Sequence, residues 1–164
     1  MTNIVAGKTA PEFLIHGMDG KTHSLSSLLE RGLAVVAFFK VSCPVCQFTF
    51  PFLQRMYERF TGDWVSFVGI SQDDAASTKK FCADFGITFP MLIDDKGYPA
   101  SNAYRLVTVP TIFMIDGSGM TKVSSMGFVK ADLEAIARDL AAARNLAATP
   151  LFRPDEKIPA NKPG

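Results

Sequence analysis

Charge is scarce in this chain and nowhere segregated. Asp, Glu, Lys and Arg make up 20% of its 164 residues, and the formal net charge is +1. With no basic stripe and no polybasic run, the chain lacks the footprint of a nucleic-acid binder or of a protein held on an anionic membrane surface. No apolar run approaches the roughly 18 residues that a membrane helix needs. The opening Met1-Thr2-Asn3-Ile4 has neither the basic n-region nor the apolar h-region of a signal peptide. The chain therefore reads as cytoplasmic; one whose leader had been removed would read the same and would act outside the cytoplasm. Cysteine is sparse, and three residues in this length are not a disulfide scaffold. Histidine is sparser still: only His16 and His23, both ahead of the cysteines. With a single C-x-x-C and no suitable histidines, a closed tetrahedral zinc site has no ligand set. Neither a metal nor a cofactor is expected.

What is abundant is apolar. The hydrophobic fraction is 48% and includes 14 Phe. That suffices for one domain with a well-buried core and argues against disorder. The domain is expected over residues 1–148. Residues 149–164 carry four of the ten prolines and read as an extended tail.

Hydrophobic periodicity outlines the elements. Phe13-Leu14-Ile15 and Lys21-Thr22-His23 flank Asp19-Gly20, a strong hairpin signal. Ser24 caps a short helix that Gly32 ends. Leu33–Phe39 is apolar throughout, as a strand buried on both faces should be. A helix runs from Pro44 to about Phe60, with Phe48, Phe52, Leu53, Met56 and Tyr57 on its apolar side and Pro51 inside it as an expected kink. Val65–Ile70 is a strand. Asp73 or Asp74 starts a helix that Gly86 stops. Met91–Ile93, Thr111–Ile115 and Thr121–Met126 are strands, the last two joined by the turn Asp116–Gly119. A short helix spans about 99–105 and a last one runs from Ala131 to Arg144. Strand–helix–strand units imply parallel pairing, and the late hairpin adds antiparallel strands. The expected class is α/β with a central mixed sheet flanked by helices.

The most informative residues are Cys43-Pro44-Val45-Cys46, placed between a buried strand and a helix. One sulfur then lies at a helix N-terminus, where free backbone N–H groups and the helix dipole favour an anion. The other lies one turn inside, in reach of a mixed disulfide formed on the first. A C-x-x-C in this setting reads as a redox motif. Cys43, more N-terminal and more exposed, is the expected nucleophile and Cys46 the resolving thiol.

The order of these pieces resembles the thioredoxin superfamily, and within it the TlpA/ResA-like thiol–disulfide oxidoreductases related to AhpC/TSA proteins. The resemblance covers about residues 7–143. It rests on Ala10-Pro11-Glu12-Phe13 and Asp19-Gly20-Lys21, on the CPVC segment with Pro51 downstream, on Phe89-Pro90-Met91-Leu92, and on Val109-Pro110-Thr111 with the hairpin through Gly127. It implies a thioredoxin-like fold with an N-terminal β-hairpin and a central β-α insertion. It also implies a cis Val109–Pro110 bond beside the cysteines, which would present Val109 backbone for strand-like pairing with a substrate. Pro44, Val45, Val109, Pro110, Gly127 and Phe128 are then the expected substrate-binding residues. The implied partners are a disulfide-bearing protein or small molecule and an electron donor.

The chain departs from that family at three positions. Ser42 stands where a tryptophan is usual, Ala37 where thioredoxins bury an Asp, and Thr49 where the TlpA/ResA branch has a Glu. Both acids that help move the resolving thiol's proton are missing. The alternatives are a peroxiredoxin-like peroxidase using Cys43, a copper carrier and a degenerate binding module. Lys40 stands where a peroxidase would carry Thr or Ser three residues before the reactive Cys, and copper carriers space their cysteines C-x-x-x-C. Cys82, on the 74–85 helix, reads as a structural thiol.

Overall fold

The computed structural model describes residues 3–164. Its entry hairpin pairs β1 (Leu14–Gly17) with β2 (Thr22–Ser24), antiparallel. Gly20 takes φ +78° in the turn, a conformation that only glycine adopts without penalty. Ser24 then caps α1 (Leu25–Leu29) reciprocally: its Oγ accepts from Ser27 N–H at 3.0 Å, and its own N–H donates to Ser27 Oγ at 3.1 Å.

The chain continues through β3 (Leu33–Phe39), α2 (Pro44–Arg59), β4 (Val65–Ser71), α3 (Ala75–Phe85) and β5 (Met91–Ile93). It then forms α4 (Pro99–Ala103), β6 (Thr111–Ile115), β7 (Thr121–Met126), β8 (Phe128–Val129), α5 (Lys130–Ala143) and β9 (Asn161–Lys162). Pro44 sits in the first turn of α2, where its missing N–H costs nothing. The helix runs on through Pro51 to Arg59. Asp74 caps α3 by accepting from Ser77 N–H at 2.7 Å, and Gly86 closes it at φ +68°.

Seven strands form one mixed sheet in the order β2-β1-β5-β4-β3-β6-β7. The β3–β4 and β4–β5 pairs are parallel; the other pairs are antiparallel. β3 lies inside the sheet and is covered on both faces, which explains its unbroken apolar run. Its side chains alternate: Val35, Ala37 and Phe39 enter the core beneath α2 and α5, while Ala34, Val36 and Phe38 enter a second core with Leu25, Leu28, Ala100 and Tyr104. Phe38, Phe39, Phe50 and Phe113 are fully buried, and each such burial contributes on the order of 1.5–3 kcal/mol.

Two short strands escape the sequence reading. β8 follows β7 directly and pairs with β9 inside the proline-bearing segment 149–164. That segment is extended, and it lies on the domain: Leu151 and Phe152 are buried in the core under α2 and α5.

Candidate active site

β3 is the strand that delivers the cysteines. It ends at Phe39, and four residues later Cys43 stands at the N-cap of α2. The connecting turn is fastened at several points. Asp73, arriving from the end of β4, accepts Val41 N–H in its carboxylate at 2.8 Å. Gln47 Nε2 donates to Val41 O at 2.9 Å, and Gln72 N–H donates to Phe39 O at 3.0 Å. Asp73 is a positioning residue that the sequence did not reveal. The Asp-Asp pair suggested a helix cap, and only Asp74 is one. The parallel pairing of β3 with β4 brings Asp73 to the turn, and nothing local in the sequence records that.

The two thiols differ in surroundings. Cys43 is half-exposed, and its Sγ accepts from Cys46 N–H at 3.1 Å. That hydrogen bond sets the sulfur against a free backbone N–H at the N-terminus of α2. Cys46 is fully buried in the core beneath α2. Burial, reinforced by the neighbouring Cys43, pushes its thiol far above the ordinary range. At the two positions where the resemblance implies an acid, Ala37 is buried in β3 and Thr49 donates its hydroxyl to Val45 O at 2.7 Å.

The Val109–Pro110 peptide bond is cis. Val109 O lies 3.6 Å from Cys43 Sγ, so the loop before β6 and the start of α2 face each other. Pro44 is exposed and Val45 half-buried at the same rim. The structure thus brings Cys43, Cys46, Pro44, Val45, Val109 and Pro110 together.

Gly127 and Phe128 are placed differently from the expected groove wall. Phe128 is fully buried, against Phe48 (5.0 Å between ring centroids), Phe52 (6.1 Å) and Phe152 (6.0 Å). Gly127, at φ +71°, does admit a close approach, but by the chain itself: a Cβ there would meet Lys162 O at 2.5 Å. The segment that covers them comes from beyond α5, too far along the chain for residue spacing to reveal.

Other candidates fall outside this cluster. His16 lies on β1 opposite Thr22 and His23 on β2 opposite Ile15, and β5 and β4 separate that hairpin from β3. His23 instead meets the Asp19 carboxylate at 3.0 Å. Cys82 is half-buried on α3, and burial raises its thiol. Among the described residues, no group of three or more His, Cys, Asp or Glu is placed to hold a metal, and no helix is long and apolar enough to cross a membrane.

Residues 6–123 match the family model of the AhpC/TSA family. The chain is 30% identical over 135 residues to the thiol-disulfide oxidoreductase ResA of Geobacillus kaustophilus, covering 81% of this chain and 76% of that one. Its fold is similar to a Chlorobium tepidum structure described as a thiol:disulfide interchange protein DsbE. There the TM-score is 0.74 and the identity 26%, over 87% of this chain and 99% of that one. A secreted Mycobacterium tuberculosis disulfide oxidoreductase shares the fold with TM-score 0.63 and 21% identity, over 79% and 95% of the two chains.

Proposed function

For a chain that belongs to the AhpC/TSA family, among its ResA-like thiol–disulfide oxidoreductases, we propose that Cys43 and Cys46 are the exchanging pair. The observation that carries this is the asymmetry of the two sulfurs. One is half-exposed at a helix N-terminus beside a cis-proline loop; the other is buried one turn below.

The Cys43 thiolate attacks one sulfur of a substrate disulfide. The new S–S bond joins Cys43 to that half, and the other half leaves as a thiolate that takes a proton from water. Cys46 then loses its proton and attacks Cys43 Sγ. An intramolecular disulfide forms and the second half leaves as a thiol. Two electrons have passed from the protein dithiol to the substrate disulfide. The reverse sequence oxidises a substrate dithiol, and turnover in either direction needs a second thiol couple as donor or acceptor.

The first step is well supported by the site and the second is not. Cys46 must ionise in an apolar setting with Ala37 and Thr49 in place of a carboxylate. Once Cys43 is in a mixed disulfide its negative charge is gone, but burial, the larger cause of the raised Cys46 thiol, persists. Resolution is therefore expected to be the slow step. The exposed Pro44, half-buried Val45 and the backbone of Val109 form the rim that a substrate would touch. A protein or small-molecule disulfide is the expected substrate. A cytoplasmic site of action would keep the pair reduced, whereas an extracytoplasmic one would let the disulfide persist.

Trapping tests the assignment. A Cys46→Ser variant incubated with an oxidised peptide should accumulate a mixed disulfide on Cys43, seen as a mass addition on that residue. Cys43→Ser should accumulate none. Full exchange by Cys43→Ser would refute the assignment. Peroxide turnover through a Cys43 sulfenic acid, without dithiol exchange, would turn it into a peroxidase instead.

A further inference from the structure

One face of α2 carries two aromatic rings followed by two guanidinium groups. Phe48, Phe52, Arg55 and Arg59 follow one another at spacings of four, three and four residues, a single stripe along the helix. The segment beyond α5 lies on that stripe and runs antiparallel to it. Arg59 donates to the carbonyls of Thr149 and Pro150 at 2.9 and 3.2 Å. Arg55 donates to Leu151 O at 3.0 Å and grips the Glu156 carboxylate with both nitrogens at 2.8 and 2.9 Å. Phe152 stacks edge-on against Phe52 at 5.0 Å. Lys162 places its ammonium 4.9 Å from the Phe48 ring centre.

The path reaches the active site. Lys130 N–H donates to Ala160 O at 2.9 Å, and Asn161 and Lys162 pair with Val129 and Phe128. Past them, the backbone of Gly164 lies against Val109. A Cβ on Gly164 would collide with Val109 O and come within 2.7 Å of Thr108 Oγ1. That carbonyl is the one 3.6 Å from Cys43 Sγ. Residues 161 and 162 thus run along β8, and Gly164 lies against the Val109 backbone beside the reactive sulfur.

The two halves of the strap are fastened unequally. Residues 149–158 are held by two buried side chains, Leu151 and Phe152, and by the Arg55–Glu156 fork. Residues 160–164 are mostly exposed and are held by a two-residue β pair, the hydrogen bond from Lys130 N–H to Ala160 O and one cation–π contact. A β pair that short is marginal by itself. Residues 160–164 can lift while the anchor stays.

We propose that residues 160–164 act as an intramolecular competitor for polypeptide substrates. An extended peptide pairing with the Val109 edge must displace them, while a small disulfide reaches Cys43 past them. This rests on Cys43 being the attacking thiol.

The test compares the full chain with a variant ending at Pro159, which keeps the anchor. Two probes are used with each reduced protein: bis(2-hydroxyethyl) disulfide, and a short unstructured peptide whose central cysteine is in a mixed disulfide with glutathione. If the edge is free about a tenth of the time, deletion raises the peptide's rate constant about tenfold and leaves the small disulfide's within about twofold. Lys162→Ala, which loses only the contact with Phe48, should move the peptide rate the same way by about two- to threefold. Equal peptide rates in all three proteins, or parallel changes with both probes, would overturn the strap. Failure of the full chain to react with bis(2-hydroxyethyl) disulfide would instead overturn the exchange reading on which it rests.

Discussion

At the scale of single residues, the asymmetry between Cys43 and Cys46 sets the expected kinetics. Far below the Cys46 pKa, each pH unit changes its thiolate fraction about tenfold, so the rate of mixed-disulfide resolution should rise about tenfold per unit across neutral and mildly alkaline pH. Rapid-quench alkylation after mixing with an oxidised peptide would show it, and a flat profile would mean that Cys46 has a proton acceptor. Asp73 is the other residue to test. Asp73→Ala leaves Val41 N–H without its acceptor and should cost about 1–1.5 kcal/mol in denaturant unfolding, while Asp73→Asn, which keeps a carbonyl oxygen, should recover most of it. The cysteine pair was legible in the sequence because its spacing and helix position carry the chemistry. Asp73 was not, because its role exists only once β4 lies parallel to β3.

At the scale of elements, the sequence marked most boundaries through local chemistry. Ser24 and Asp74 cap the helices expected of them, Gly86 ends α3, and the apolar run of β3 reports burial on both faces. β8 and β9 were missed because two-residue strands have no periodicity, and their pairing joins residues more than thirty positions apart. The same distance hid the burial of Phe128 and the close packing at Gly127, whose neighbours come from residues 152–164. Phe152 is the keystone of that packing, lying against both Phe52 and Phe128. Phe152→Ala should destabilise the domain by about 3–5 kcal/mol in denaturant unfolding. A negligible cost would mean that the segment 149–164 contributes nothing to the core.

At the scale of the whole molecule, one charged contact makes the attachment of the strap depend on pH. The Arg55 guanidinium holds the Glu156 carboxyl near 2, down from 4.5. A carboxylate with a depressed folded-state pKa stabilises above its unfolded value, and that contribution disappears as pH falls through the folded one. Protection of residues 149–158 from amide exchange should thus be level from pH 7 to about 5 and decline between about 4.5 and 2. In Glu156→Gln that step should vanish. The fold itself was legible at this scale, since the order of strands and helices implied the mixed sheet that forms around β3.

The central claim is that Cys43 and Cys46 form a reversible couple, and a redox titration tests it most directly. The purified protein would be equilibrated in dithiothreitol buffers, alkylated and read by mass spectrometry. The account predicts one two-electron transition confined to Cys43 and Cys46, with a potential between roughly −120 and −270 mV, leaving Cys82 alkylated throughout. Absence of an intramolecular Cys43–Cys46 disulfide across that range would contradict it.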